Sequence, residues 1–376
     1  MSGGVDLDAG PVQLVPPDYE GGCISNILAG LDCRADGRRS WVPGPVDGAN
    51  QIVLLVLDGL GWEQLKARPL IAPMLSSMAG GAITSVAPST TATALTSITT
   101  GLPPAVHEVV GYRVRVHNDA VLNVLRWRTG AGDARQDVDP NKFQTHPVFR
   151  GYAAPVVTRA EFAATGFTVA HLAGVRLHGW RMASSMPVQV ADLLRAGEPF
   201  VYAYYDGVDK IAHERGFGPY YDAELQAADR LVSDLAGLLP PGAVLVVTAD
   251  HGQVEVGDST LPLGPEVLGL TGLISGEGRF RWLHARPGCA ARLAEEARAR
   301  FGHVAWVRTL DDIEAAGWFG GPLTPAGRDR LGDVALIAHQ PVAFADPADT
   351  GELALRCRHG SLTSAEMLVP LLAVAA

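Results

Sequence analysis

The sequence predicts an α/β protein with a mostly parallel central sheet flanked by helices and small inserted cap regions. Two observations carry this expectation. Three apolar runs, Ile52–Asp58, Phe200–Asp206 and Ala243–Asp250, read as strands buried on both faces, and each ends in an acid. Segments of helical periodicity lie between such runs, which is the signature of βαβ units.

The elements follow in order. Residues 1 to about 50 are rich in Gly, Pro and Asp and read as an irregular lead-in with a short helical piece at Ile24–Leu31. After the Ile52–Asp58 strand, Trp62–Met78 has helical periodicity and stops at Gly80-Gly81. Ala82–Pro88 reads as a second strand. Thr91–Thr100 reads as a helix that opens in a hydroxyl-rich turn and ends at Gly101. Residues 112–195 are less regular, with a core strand expected at Phe167–Gly174. A helix at Tyr220–Leu238 separates the Phe200 and Ala243 strands. Residues 253–345 mix Gly/Pro turns with a helix at Cys289–Phe301, a strand at His303–Arg308 and a short helix at Asp311–Ala316. Met367–Val374 is an apolar tail. One catalytic domain spanning 1–376 is expected, with 112–195 and 253–345 as inserts that shape the pocket.

Bulk composition sets limits. The chain is 47% hydrophobic and 19% charged, so a packed core is expected rather than disorder. A formal charge of −10 argues against a nucleic-acid polymer as partner, because a basic footprint is missing. It leaves room for a small phosphorylated substrate, since bound cations invert the sign of charge inside a pocket. The N-terminus has no basic and apolar leader pattern, and no run of about 18 apolar residues occurs, so a cytoplasmic protein without a membrane span is expected. Of the four cysteines, Cys23 and Cys33 could bridge in an oxidising compartment, and free thiols are the reading adopted.

In open sheets of this kind, ligands bind beyond the carboxyl ends of the strands, and the strand-end acids sit there. Asp209 and His213 are four apart, so a helical turn puts both on one face, able to hold one ion. Asp250-His251 follows a strand directly. Asp58-Gly59 and His359-Gly360 are weak signals singly, since Asp-Gly is a common turn pair. The order of the whole set is the specific feature: strand-Asp, Thr-rich helix start, Asp-x-x-x-His, strand-Asp-His-Gly, late His-Gly.

That order resembles the metal-site pattern of the alkaline phosphatase superfamily, and most closely its type I phosphodiesterase / nucleotide pyrophosphatase branch. The matching blocks run from Ile52 to about Val369, and the two inserted regions do not carry them. The resemblance implies an alkaline-phosphatase-like core and two divalent ions, most simply zinc. It implies Asp209, His213 and His359 around one ion, and Asp58, Asp250, His251 and the Thr91 oxygen around the other. Counting back from Thr100-Gly101 puts the family nucleophile at Thr91, with Ser89, Thr90 and Thr93 as neighbouring hydroxyls. The implied reaction is hydrolysis of a phosphodiester or pyrophosphate bond, in a nucleotide or another small phosphodiester, through a phosphothreonine. A hydroxyl is a poor nucleophile until a metal and a helix N-terminus favour its anion.

The sequence departs from the branch at Ala94, where an asparagine reaching a phosphate oxygen is usual. A phosphomonoesterase or a phosphomutase of the same superfamily is the alternative, and a non-catalytic metal-binding relative is a weaker one. The Cys/Ser-x-Pro-x-Arg context of a sulfatase is missing at Thr91. Arg113 and Arg115 could hold phosphate from the first insert, but read more simply as surface arginines. Tyr112, Trp127 and Tyr205 could stack on a base, and read more simply as core. Asp206 and His107 are expected to be structural, and Lys210 to point away from the metals. Cys357 shares a strand face with His359 but is a poor candidate ligand.

Overall fold

The computed structural model describes residues 12–32, 39–349, 351 and 354–376. Cys33, and with it the question of a Cys23–Cys33 bridge, lies outside the described residues.

A seven-stranded sheet organises the chain. Its order is Ala79–Thr84, Leu368–Ala375, Ala243–Thr248, Gln51–Leu57, Phe200–Tyr205, Pro155–Arg159, Arg176–Trp180. The last five are mutually parallel, whereas Leu368–Ala375 runs antiparallel between Ala243–Thr248 and Ala79–Thr84. The parallel centre explains the sequence pattern. Helices cover both faces, so Val53–Leu57 and Ala243–Thr248 are buried without alternation.

Register brings the acids together. Val56 pairs with Thr248 and Leu57 with Tyr205. The chains therefore leave the sheet side by side, with Asp58 between Asp206 and Asp250 at the carboxyl edge. The long helix Pro219–Gly237 and the shorter Gly207–Arg215 connect two of these strands.

Other expectations shift. Trp62–Met78 is two short helices, Trp62–Lys66 and Pro73–Ser77, because Pro69 and Pro73 interrupt the amide ladder. Gly80-Gly81 is not a helix stop. It lies in the edge strand Ala79–Thr84, where a Cβ on Gly80 would stand 2.1 Å from the Leu371 carbonyl oxygen. Phe167–Gly174 is not a strand. Thr165 accepts from the Thr168 amide and starts a helix at Gly166–His171 despite the apolar, partly β-branched composition. The sheet positions belong instead to Pro155–Arg159 and Arg176–Trp180, so the second half of 112–195 is part of the core.

The first half forms a small antiparallel sheet, Arg113–Arg115, Val121–Asn123, Arg128–Thr129 and Gly132–Asp133. The stretch 253–345 contains a second antiparallel sheet of Thr271–Glu277, Phe280–Ala285, Val334–Ala338 and Ala305–Thr309. Helix Ala290–Phe301 closes its own core on that sheet through Leu293, Ala297 and Phe301. No described helix is long and apolar enough to cross a membrane.

Candidate active site

Thr91 is the first residue of the helix Thr91–Thr100, and the helix is buried throughout. Thr90 precedes it in extended conformation, so the Thr91 hydroxyl stands where the first free amides of the helix point. Its Oγ1 lies 3.1 Å from His251 Nε2. Ser89 and Thr93 are buried elsewhere: Ser89 Oγ donates to the Ser361 carbonyl. Ala94 is fully buried in the same helix.

The structure gathers Asp58, Asp209, His213, Asp250, His251 and His359 around this hydroxyl. His213 Nε2 is 3.2 Å from Asp209 Oδ1. His251 Nε2 is 3.6 Å from Asp58 Oδ1 and 3.3 Å from Asp250 Oδ2. The rings of His251 and His359 stack with centroids 3.5 Å apart, and His213 is 5.2 Å from His359. Donor atoms of Asp209, His213 and His359 lie within 4.8 Å of one another, as do those of Asp58, Asp209 and His251. Asp209 thus faces both groups, and Asp250 borders the second.

The three imidazoles share one arrangement. His213 Nδ1 meets the Cys357 carbonyl at 2.6 Å, His251 Nδ1 the Gly252 carbonyl at 3.1 Å, and His359 Nδ1 the Ser89 carbonyl at 3.0 Å. A carbonyl only accepts, so each Nδ1 carries the proton and donates it outward. Each ring then turns its Nε2 into the site. There Nε2 of His213 lies 3.2 Å from a carboxylate oxygen, and Nε2 of His251 lies 3.3 and 3.6 Å from two others. Asp58 Oδ1 and Asp250 Oδ2 are buried and accept no hydrogen bond. Buried carboxylate oxygens without a donor are costly unless a cation lies against them. The donor set therefore fits divalent metal, with the imidazole and carboxylate ligands that suit zinc.

The carboxylates are themselves held. Asp58 Oδ2 accepts from the Tyr204 hydroxyl, and Asp250 Oδ1 from the amides of Gly59 and His251 at 3.0 Å. Gln253 Nε2 donates to Asp209 Oδ1 at 3.0 Å. Burial, with the neighbouring Asp250 and Asp209 charges, pushes the Asp58 carboxyl well up. Burial pushes Asp250 up too. Burial also acts to raise Asp209, but the facing His213, His359 and His251 outweigh it and hold that carboxyl well below the usual range. His359 is driven down by burial and by His251 and His213.

Several neighbours differ from expectation. Lys210 lines the cavity at Thr91, with its ammonium paired to Asp206 at 2.5 Å. Asp206 also accepts from Arg159 Nε at 2.6 Å, which makes it structural, as expected. Arg113 is not a surface residue. It is buried and paired with Asp346, because the second sheet folds over it. Arg115 is partly exposed and donates to the Asp329 carbonyl at 2.8 Å. Trp127 is core, and Tyr205 donates to Glu224 away from the metal donors. Tyr112 does border the cavity. His107 is buried against Ser97 Oγ at 2.8 Å. Sequence reasoning missed Arg126, Glu277 and Arg358, which also line the cavity. Glu277 comes from the second sheet and Arg126 from a hairpin tip, and no linear spacing ties either to the ligand motifs.

Oxygen and imidazole donors aimed at a hydroxyl on a helix start define a phosphoric ester hydrolase. The chain belongs to the type I phosphodiesterase / nucleotide pyrophosphatase family, whose model matches residues 52–361. The family is metal-dependent and lies within the alkaline phosphatase superfamily. No curated protein matches the chain in sequence. Among solved structures, murine ectonucleotide pyrophosphatase / phosphodiesterase 5 is similar at a TM-score of 0.65 and 14% identity, over 86% of this chain and 87% of that one. That structure is an inactive threonine-to-alanine form in complex with AMP. Phosphonoacetate hydrolase from Sinorhizobium meliloti, in complex with phosphonoformate, is similar at 0.64 and 19% identity, over 90% and 92% of the two chains.

Proposed function

We propose that this enzyme hydrolyses a phosphodiester or pyrophosphate bond of a small phosphorylated substrate in two displacements, with Thr91 as nucleophile and two zinc ions as cofactors. Asp209, His213 and His359 would hold one ion, and Asp58, Asp250 and His251 the other. The observation that carries the reading is the shared orientation of the three imidazoles, Nδ1–H outward to carbonyls and Nε2 inward, with that of His251 beside Thr91.

Bound ions would favour ionisation of the Thr91 hydroxyl and neutralise charge on the transferring phosphoryl group. The chain does the rest. Thr91 Oγ forms a bond to phosphorus as the bond to the leaving oxygen breaks, and the departing group takes the electron pair and then a proton from water. The amides at the start of the helix Thr91–Thr100 face the phosphoryl oxygens. Water then attacks the phosphothreonine from the vacated side, releasing the phosphorylated product and restoring Thr91. Asp209, facing both donor groups, keeps them in register through the two steps. The threonine-to-alanine change in the inactive murine structure, and the AMP bound there, support this assignment.

The test compares a bis-aryl phosphate diester, an aryl phosphate monoester and an aryl sulfate, with zinc and after EDTA treatment. Diester turnover that is lost in Thr91→Ala and after EDTA is the expected result. Turnover untouched by Thr91→Ala would overturn the nucleophile assignment.

A further inference from the structure

Two cavities meet at Thr91. One, of about 230 Å³, is mostly apolar, with Leu95, Phe162, Phe167 and Leu172 among its walls. The other, of about 370 Å³, runs past His213 and His359 and carries Arg126, Lys210 and Arg358. Thr91, Leu125, Asp209 and Lys210 border both.

The three cations of the second cavity are not equivalent. Lys210 is matched by Asp206. Arg358 is buried and donates to the Leu355 carbonyl and Thr260 Oγ1. Arg126 is exposed, and among the described residues no carboxylate pairs with its guanidinium.

The backbone that carries it is nonetheless fixed. Arg126 sits in the four-residue tip, 124–127, of the hairpin joining Val121–Asn123 to Arg128–Thr129. Its amide donates to Asn123 Oδ1 at 3.0 Å, and Asn123 Nδ2 reaches the Tyr112 hydroxyl at 2.6 Å. The next residue, Trp127, is buried with φ at 52°, a left-handed backbone that only tight surroundings hold in a bulky residue. Trp127 Nε1 donates to the Val138 carbonyl at 2.7 Å, and its ring meets Phe143 edge-on at 5.3 Å. A strained, anchored tip thus places Arg126 in the cavity wall, which also holds Asp209, Glu277 and Asp349, and among the described residues its guanidinium pairs with none of them.

In an in-line displacement the leaving group departs on the side opposite Thr91 Oγ. We place the leaving group in the second cavity, because it borders His213 and His359, whereas Thr91 Oγ1 stands beside His251. We infer that Arg126 is a specificity-determining residue that binds an oxyanion carried by the leaving group, a phosphate or a carboxylate beyond the scissile bond. The leaving group gains negative charge as its bond to phosphorus breaks, so a guanidinium fork at its far oxyanion favours departure. Neutral alcohols gain nothing from it. The inference rests on the hydrolase reading above, and its binding arm is independent of turnover.

The experiment compares wild type with Arg126→Ala and Arg126→Gln on a nucleoside diphosphate and on a bis-aryl phosphate diester. The expected result is a loss in kcat/KM of roughly ten- to a hundredfold on the diphosphate, the value of one charge-assisted bond, with the diester within about twofold. Inorganic pyrophosphate and malonate are then titrated calorimetrically against both proteins. Arg126→Ala should weaken at least one of them by about tenfold or more, and which one weakens tells phosphate from carboxylate. An equal loss on both substrates, or unchanged binding of both anions, would overturn the role. If wild type turns over no ester, the hydrolase reading fails, and the calorimetry still decides whether Arg126 binds an oxyanion.

Discussion

Arg279 and Glu366 form a fully buried pair between the second sheet and the loop that carries His359. Arg279 Nε and Nη2 donate to the two carboxylate oxygens at 2.7 and 2.8 Å. The same guanidinium donates to the carbonyls of Gln340 and Val342 at 2.9 Å and of Ala338 at 3.2 Å. Glu366 also accepts from the Ser361 amide at 2.9 Å and the Thr363 hydroxyl at 2.5 Å, and its own carbonyl accepts from the Gly252 amide at 2.8 Å. Glu366 therefore ties the two segments to each other, its carboxylate holding the one after His359 and its backbone carbonyl the one after His251. Arg279→Met keeps the volume and removes the charge. A buried ion left without its partner costs about 3–5 kcal/mol, and three carbonyls losing a donor add to it, so a loss of at least ~4 kcal/mol is expected. Against a typical stability of about 5–15 kcal/mol, that is a large fraction. Urea unfolding at pH 7 measures it. Adding Glu366→Leu to Arg279→Met removes the stranded charge and should restore part of the loss. A cost below about 1 kcal/mol for Arg279→Met, or a double variant as unstable as the two single losses summed, would refute the reasoning.

Three further outcomes follow from the site and its surroundings. Tyr204→Phe removes the hydroxyl donated to Asp58 Oδ2 and should weaken zinc binding by about 10–100-fold in a chelator competition, with the fold retained. Zinc at a hundredfold excess over its Kd should raise the unfolding free energy by about 2.7 kcal/mol, an increment that Asp209→Asn should largely abolish in thermal melts. Burial pushes His107 down to about 3, His171 to about 4 and His284 to about 3. Their folded values lie below the unfolded one, so the unfolded chain binds more protons and stability falls as the pH drops from about 6.5 toward 4. At pH 5 each would cost roughly 2 kcal/mol, and a urea midpoint equal at pH 7 and pH 5 would contradict this.

The strands ending in Asp58, Asp206 and Asp250 were legible because a parallel sheet buries both faces and leaves an uninterrupted apolar run. The helix Thr91–Thr100 was legible to the residue, since the extended Thr90 starts it and Gly101, at φ 69°, ends it. Local chemistry was decisive in both places. It misled at Phe167–Gly174, where the composition suits a strand but the Thr165 cap and the sheet's own register place a helix. It could not reach Glu277, Arg279 or Arg126. Each acts through a neighbour more than sixty residues away in the chain or through a backbone angle that no composition announces. The division has a physical cause. The candidate metal donors sit on strand ends and helix starts, which leave periodic and capping signals. The residues around the leaving-group cavity sit on hairpins and on a second sheet, whose position over the site is set by packing between segments. Relatives that keep the donors can therefore differ in that cavity, and this chain's specificity is to be sought in the hairpin at Arg126 before the metal donors.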